Sequence, residues 1–118
     1  MNDQAETFSI LQYQWEEVKT HLESSFSARK GIGIKEWMDK GITLFFQLLY
    51  LTNGENFTST NQILYQQFQF KPINMEERIG FIMDRPSLFH SYRQLSELML
   101  ELEKLYVKSI IVKKSSRS

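Results

Sequence analysis

Ile42-Thr43-Leu44-Phe45-Phe46-Gln47-Leu48-Leu49-Tyr50-Leu51 is the stretch on which the fold turns, because eight of its ten residues are apolar. That is about half of the ~20 residues needed to cross a bilayer, so the run reads as a core segment and predicts no membrane span. Just before it, Trp37, Met38 and Gly41 share one side of a helical wheel, and Lys35, Glu36, Asp39 and Lys40 share the other. Asn53-Gly54 follows it, and both residue types tolerate the left-handed conformation that closes a helix. The pattern predicts a central helix over about 34–52, amphipathic at its start and apolar nearly all round later, which requires neighbours on most sides. Gly41 costs about 1 kcal/mol there relative to alanine, and marks a place where another backbone comes close.

Toward the N-terminus, Ser9-x-x-Gln12 has capping-box spacing, with Phe8 and Tyr13 placed as a hydrophobic staple. A helix is expected to start there, since Leu11, Trp15, Val18 and Leu22 recur at helical intervals while Gln14, Glu16, Glu17, Lys19 and Glu23 take the opposite face. Ser24 to Gly33, with three serines and two glycines, reads as a solvated connection. Its Gly31-Ile32-Gly33 follows a loop and not a strand, so it reads as a hinge and not as a nucleotide loop.

Toward the C-terminus, Glu55 to Lys71 carries mixed signals and is read as a short helix within an irregular connection. Asn74-x-x-Glu77 repeats the capping pattern, and Met75, Ile79, Ile82 and Met83 form a helical face. That third helix should end near Asp84, because Pro86 disfavours helical geometry at Arg85 and suits the first turn of a new helix. The last helix is expected over about 87–112, with Leu88, Tyr92, Leu95, Met99, Leu102 and Tyr106 on its inner face and an Arg93–Glu97 pair outside. At 1.5 Å per residue its basic end should project or fray. The fold class is therefore all-α, a compact bundle of four main helices plus a short one. It forms a single domain over 1–118, with residues 1–6 and 113–118 as disordered tails.

Composition narrows the chemistry. The 118 residues carry 14 basic and 14 acidic side chains, and a net charge of zero disfavours non-specific nucleic-acid binding. The charge is asymmetric, because residues 60–118 are net basic and Lys104, Lys108, Lys113, Lys114 and Arg117 stand beyond Glu103 without an acid. With no cysteine there is no disulfide, thiolate nucleophile or zinc finger, which fits a reducing compartment. Met1 to Glu6 is polar and acidic, unlike a secretory leader. A cytoplasmic location is expected. No cofactor or metal is implied: Glu17 and His21 could meet on one helical face, yet no third ligand is near in sequence, and a surface ion pair is the simpler reading.

One pair of residues has catalytic spacing. Arg85-Pro86-Ser87-Leu88-Phe89-His90 places an arginine and a histidine at the start of a helix. It resembles the Arg-x4-6-His motif of the HEPN ribonuclease superfamily, a resemblance that implies a phosphate-gripping guanidinium at Arg85 and a proton-transferring imidazole at His90. Proline stands after the arginine, where that motif commonly has a polar residue. The plainer reading gives Arg85 a turn-stabilising role and His90 a place in the first helical turn. Sixteen aromatic residues mostly share faces with Leu and Ile and read as core, with Trp37 the ring expected to be partly exposed.

Lys35-Glu36-Trp37, Leu48-Leu49-Tyr50, Lys71-Pro72-Ile73-Asn74, Glu77-Arg78, Arg85-Pro86, His90-Ser91-Tyr92 and Gln94-Leu95 together resemble the YpoC-like proteins of low-GC Gram-positive bacteria. The resemblance covers 37–104, implies a cytoplasmic bacterial protein, and transfers no catalytic residue. The expected function is a non-enzymatic interaction or accessory module with a protein partner, its surface drawn from Trp37, Lys104, Lys108, Lys113 and Lys114. A metal-independent ribonuclease using Arg85 and His90 is the alternative. A homodimer through the last helix is a further possibility from its four–three spacing.

Overall fold

A computed structural model describes residues 3–28, 31–58 and 63–115. Four α-helices follow one another, α1 Asp3–Ala28, α2 Ile34–Thr52, α3 Met75–Asp84 and α4 Phe89–Ser115, with a single 3-10 turn at Tyr65–Gln67 and no strand among the described residues. The all-α bundle is as expected. α2 packs antiparallel to α1 and parallel to α4, and α3 folds back on α4 as a helical hairpin. The molecule is elongated, 54 × 28 × 22 Å.

The apolar run lies at the centre. Phe45, Phe46 and Leu49 have no exposed surface, and they share one core with Trp15, Val18 and Leu22 of α1, Met75, Ile79 and Ile82 of α3, and Leu95, Leu98 and Leu102 of α4. Gly41 does mark a close approach, but side chains and not a backbone come near. A Cβ there would stand 3.0 Å from both Trp15 Cζ3 and Leu95 Cδ2.

Several boundaries differ from the sequence reading, each because a tertiary contact extends or stops an element. α1 begins at Asp3 and not at Ser9, so the Ser9-x-x-Gln12 box is helix interior. The added turns carry Phe8 onto Tyr106, stacked at 4.0 Å, and bring Gln4 Nε2 to donate to the Leu51 carbonyl at 3.1 Å. At its other end α1 runs on to Ala28 through the expected loop and seats Phe26 between Phe89 and Tyr92. α4 starts at Phe89, with Pro86 in the turn before it, and Leu88 is 46% exposed instead of joining the inner face. The Ser91 hydroxyl donates to the Arg85 carbonyl and ties that turn to the new helix.

Asn74 does not cap α3 with its side chain. It takes a left-handed φ of 56°, and its carbonyl accepts from the Arg78 N–H at 3.1 Å. Met83 is 44% exposed, because it sits one residue beyond the 75, 79, 82 stripe that faces the core. Among the described residues of Glu55 to Lys71 the one regular element is the three-residue turn, and the rings of this stretch cover α2, with Phe57 and Phe68 edge-on to Tyr50.

α4 stays helical to Ser115, beyond the expected limit near 112. Val112 and Lys113 line a cleft with Thr52, Asn53 and Phe70 beside the end of α2. Residues 3–6 and 113–115, expected as tails, are therefore helical; the remaining tail residues 1–2 and 116–118 lie outside the described ones.

Candidate functional site

The parallel run of α2 and α4 gathers most of the exposed chemistry at one end of the bundle, where α2 and α4 begin and α1 and α3 finish. Arg85 and His90 come together there. Phe81, in the last turns of α3, meets the Arg85 guanidinium at 5.4 Å and stands edge-on to the His90 ring at 5.3 Å. Both side chains are exposed, and neither lines the groove beside Trp37 or the hollow beside Phe89. The pair thus shares a ring on an open surface, without walls that would hold a substrate or exclude water. His90 is not packed among Leu88, Phe89 and Tyr92 either.

Trp37 is half-buried, as its place on a half-polar helical turn implied. The His21 ring stacks on it at 3.9 Å with planes 9° apart, and Lys40 Nζ lies 4.2 Å from its centre. His21 therefore pairs with an indole and not with Glu17, and no group of three metal-ligating side chains occurs among the described residues. The Trp37 ring, already covered by an imidazole and an ammonium, ends a groove of about 510 Å³ between α1 and α2, whose walls include Gln14, Glu17, Thr43 and Gln47.

A third group at this end was not legible in the sequence. Phe26 precedes Phe89 by 63 residues and Tyr92 by 66, yet the three meet with ring centres 5.3 to 6.0 Å apart. The Tyr92 hydroxyl donates to Glu23 Oε2 at 2.6 Å. Burial first and that hydrogen bond second push the Tyr92 phenol up to about 12, so it stays a neutral donor. Only the 89–92 spacing hinted at the group; Phe26 fell in the expected loop.

The C-terminal lysines lie elsewhere. α2 spans roughly 22 Å between Trp37 and Thr52 at 1.5 Å per residue, and Lys113 is beside the Thr52 end, so Trp37 and Lys113 do not share a patch. Lys104, Lys108 and Lys114 are exposed on α4. With them stand Leu100, Val107 and Ile111, at 57%, 52% and 59% exposure. Leu100, Lys104, Val107 and Ile111 follow one another at four, three and four, which puts them on one stripe opposite the buried Leu95, Leu98 and Leu102. Arg93 and Glu97 open that outward side, though no ion pair joins them; α4 is pinned to α3 instead by Arg78, which grips both oxygens of Glu101 at 3.1 and 2.7 Å.

No helix among the described residues is long and apolar enough to cross a membrane. A family model described as YpoC-like protein matches residues 5–114. The chain is 32% identical over 108 residues to the protein of Bacillus subtilis (strain 168) named "Uncharacterized protein YpoC". That alignment covers 90% of this chain and 66% of the relative's length, so the chain spans just under two thirds of the protein it matches. No solved structure matches.

Proposed function

The chain belongs to the YpoC-like family, and we propose that it acts as a non-enzymatic interaction module whose docking face is the outward side of α4. One observation carries this reading: Leu100, Val107 and Ile111 are each more than half exposed on a single stripe, with Lys104 set among them. Apolar side chains aligned on one helical face and rimmed by charge favour a helix of another protein, which buries the stripe and pairs its own charges with the rim. The charges of that side are Arg93, Lys104, Lys108 and Lys114 against Glu97 and the partly exposed Glu103, a net basic rim, so the complementary partner is a protein with an acidic amphipathic helix. A second copy would set lysines against lysines. The module works in the cytoplasm on this reading, which the absence of cysteine supports.

A photo-crosslinking residue at Val107, in the native cells, tests the proposal. The expected product is one adduct of discrete mass that disappears when Lys104→Glu and Lys108→Glu are combined, and that a crosslinker at Glu76 on α3 does not form. The same adducts from both positions, or an adduct at twice the mass of the chain, would overturn it.

A second reading has one observation in its favour, the shared Phe81 ring that brings Arg85 and His90 together. On it, Arg85 clamps an RNA phosphate and His90 moves the proton, without a metal. It requires the purified protein to cut cellular RNA and His90→Ala to stop it. Intact RNA, or cutting that survives His90→Ala, removes the reading.

A further inference from the structure

The exposed apolar line on α4 does not end at Leu100. Phe89 is 51% exposed and stands 11 residues before Leu100 and 18 before Val107, which is about three and about five whole helical turns. It therefore lies on the same line as Leu100, Val107 and Ile111, and at 1.5 Å per residue that line is about 33 Å long. At Phe89 the line opens onto a hollow of about 580 Å³ between α1 and α4, bordered by Glu23, Phe26, Ser27, Phe89 and Tyr92. We propose, resting on the docking face assigned to α4, that the acidic partner helix covers α4 for about six turns and seats a large apolar side chain in this hollow.

Area favours the longer contact. Leu100, Val107 and Ile111 offer little more than half of three aliphatic side chains, well short of the ~800 Å² per partner that a standard interface buries. Reaching Phe89 and the half-buried Phe26 adds two partly open rings. It also adds a concave surface, the kind of place where the strongest contacts of an interface gather.

Shape and charge choose what enters. Tyr92, 5% exposed, is the floor of the hollow, the more open Phe26 and Phe89 are its walls, and the exposed Glu23 and Ser27 are its outer rim. The rings stand at 76°, 31° and 45° to one another, so edges and faces both border the space. Such a surface suits an apolar side chain, because burial of apolar area is non-directional. An enclosed Phe, Tyr or Trp buries about 150–250 Å². Lys104, Lys108 and Lys114 stand toward the other end of the line and call for acids there. The matching segment is therefore polarised, with its anchor at one end and its carboxylates at the other.

The experiment pairs the crosslinker at Val107 with p-azidophenylalanine at Phe89, which keeps the ring, in the native cells. Both are expected to give an adduct of the same mass. Mass spectrometry of the digested adducts is expected to place the two crosslinks in one partner segment about 18 residues apart, the separation of Phe89 from Val107, with acids around the Val107 contact and a large apolar residue at the Phe89 contact. Phe89→Ala removes a wall of the hollow, and Ser27→Trp fills it from the exposed rim. Each should lower the Val107 adduct about tenfold or more while the melting curve shows a folded protein. A Val107 adduct with no Phe89 adduct of that mass, crosslinks in separate segments, or a Val107 yield that neither variant changes would overturn this inference and leave the docking face standing. An adduct at Phe89 that adds only the mass of a small molecule would give the hollow to a free ligand and overturn it too. No adduct at Val107 would remove the docking face and the anchor with it.

Discussion

The two ends of the bundle solve different problems with similar residues. Where α2 finishes, most of the side-chain hydrogen bonds are directed at backbone. Asn53 Nδ2 donates to the Leu49 and Phe70 carbonyls at 2.8 and 2.9 Å, and its Oδ1 accepts from the Phe70 N–H at 2.8 Å. Gly54 supplies the positive φ of 69° that lets Glu55 N–H reach the Tyr50 carbonyl at 2.9 Å and close the helix. Gln4 and Tyr106 complete the clasp. Where α2 begins, more of the contacts run between side chains, and His21, Trp37, Phe26, Arg85, Phe89 and His90 are half-buried or exposed while Tyr92 is buried. A backbone-directed clasp is sensitive to substitution because a backbone partner cannot turn to another group; a side-chain surface is less so, and is freer to carry recognition.

That contrast breaks first if the core does not reach both ends. Phe45→Ala, Leu48→Ala and Leu49→Ala should each cost about 2 to 5 kcal/mol in denaturant melts, as large core truncations do. No loss for any of the three would mean that α2 is not central. Asn53→Ala, which removes three hydrogen bonds at a half-buried position, should cost about 1 to 3 kcal/mol; a loss equal to that of an exposed substitution would make the clasp incidental.

At the open end the effects shrink. Tyr92→Phe removes one hydrogen bond to Glu23 and should cost about 1 kcal/mol at neutral pH. The phenol is raised in the fold from 10.0 to about 12, so its contribution is complete below pH 10 and is lost as pH climbs through 12. Alkaline titration of stability should therefore show the wild type falling more steeply than Tyr92→Phe across that window. Parallel curves would show that the fold does not raise the phenol. Smallest of all, Lys104→Glu with Lys108→Glu should change stability by about 0.5 kcal/mol or less, while removing the Val107 adduct. A large drop in melting temperature would show these lysines to be structural.

Helix content was legible because apolar periodicity is local: the 34–52 helix matches residue for residue, and the end of α3 at Asp84 follows from Pro86. The limits of α1 and α4 were not, because Ser9 and Pro86 are good local signals that the surrounding contacts outweigh. Phe8 on Tyr106 keeps α1 helical far ahead of its capping box, and Leu88 leaves the core because the Arg85 turn swings it outward. Of the candidate surface residues, Lys104, Lys108 and Lys114 proved exposed alongside apolar neighbours, whereas Trp37 is at the far end and carries His21 on its ring.

The amino-acid order alone determined that this chain is a helical bundle with its greasiest segment inside, since burying a fully apolar helix leaves no alternative in water. Only the folded arrangement decided which exposed groups meet. Phe26 and Phe89 become neighbours through the antiparallel return of helices, a relation between distant positions that no local pattern encodes, whereas Arg85 and His90 were already close in sequence and the fold added the Phe81 ring they share.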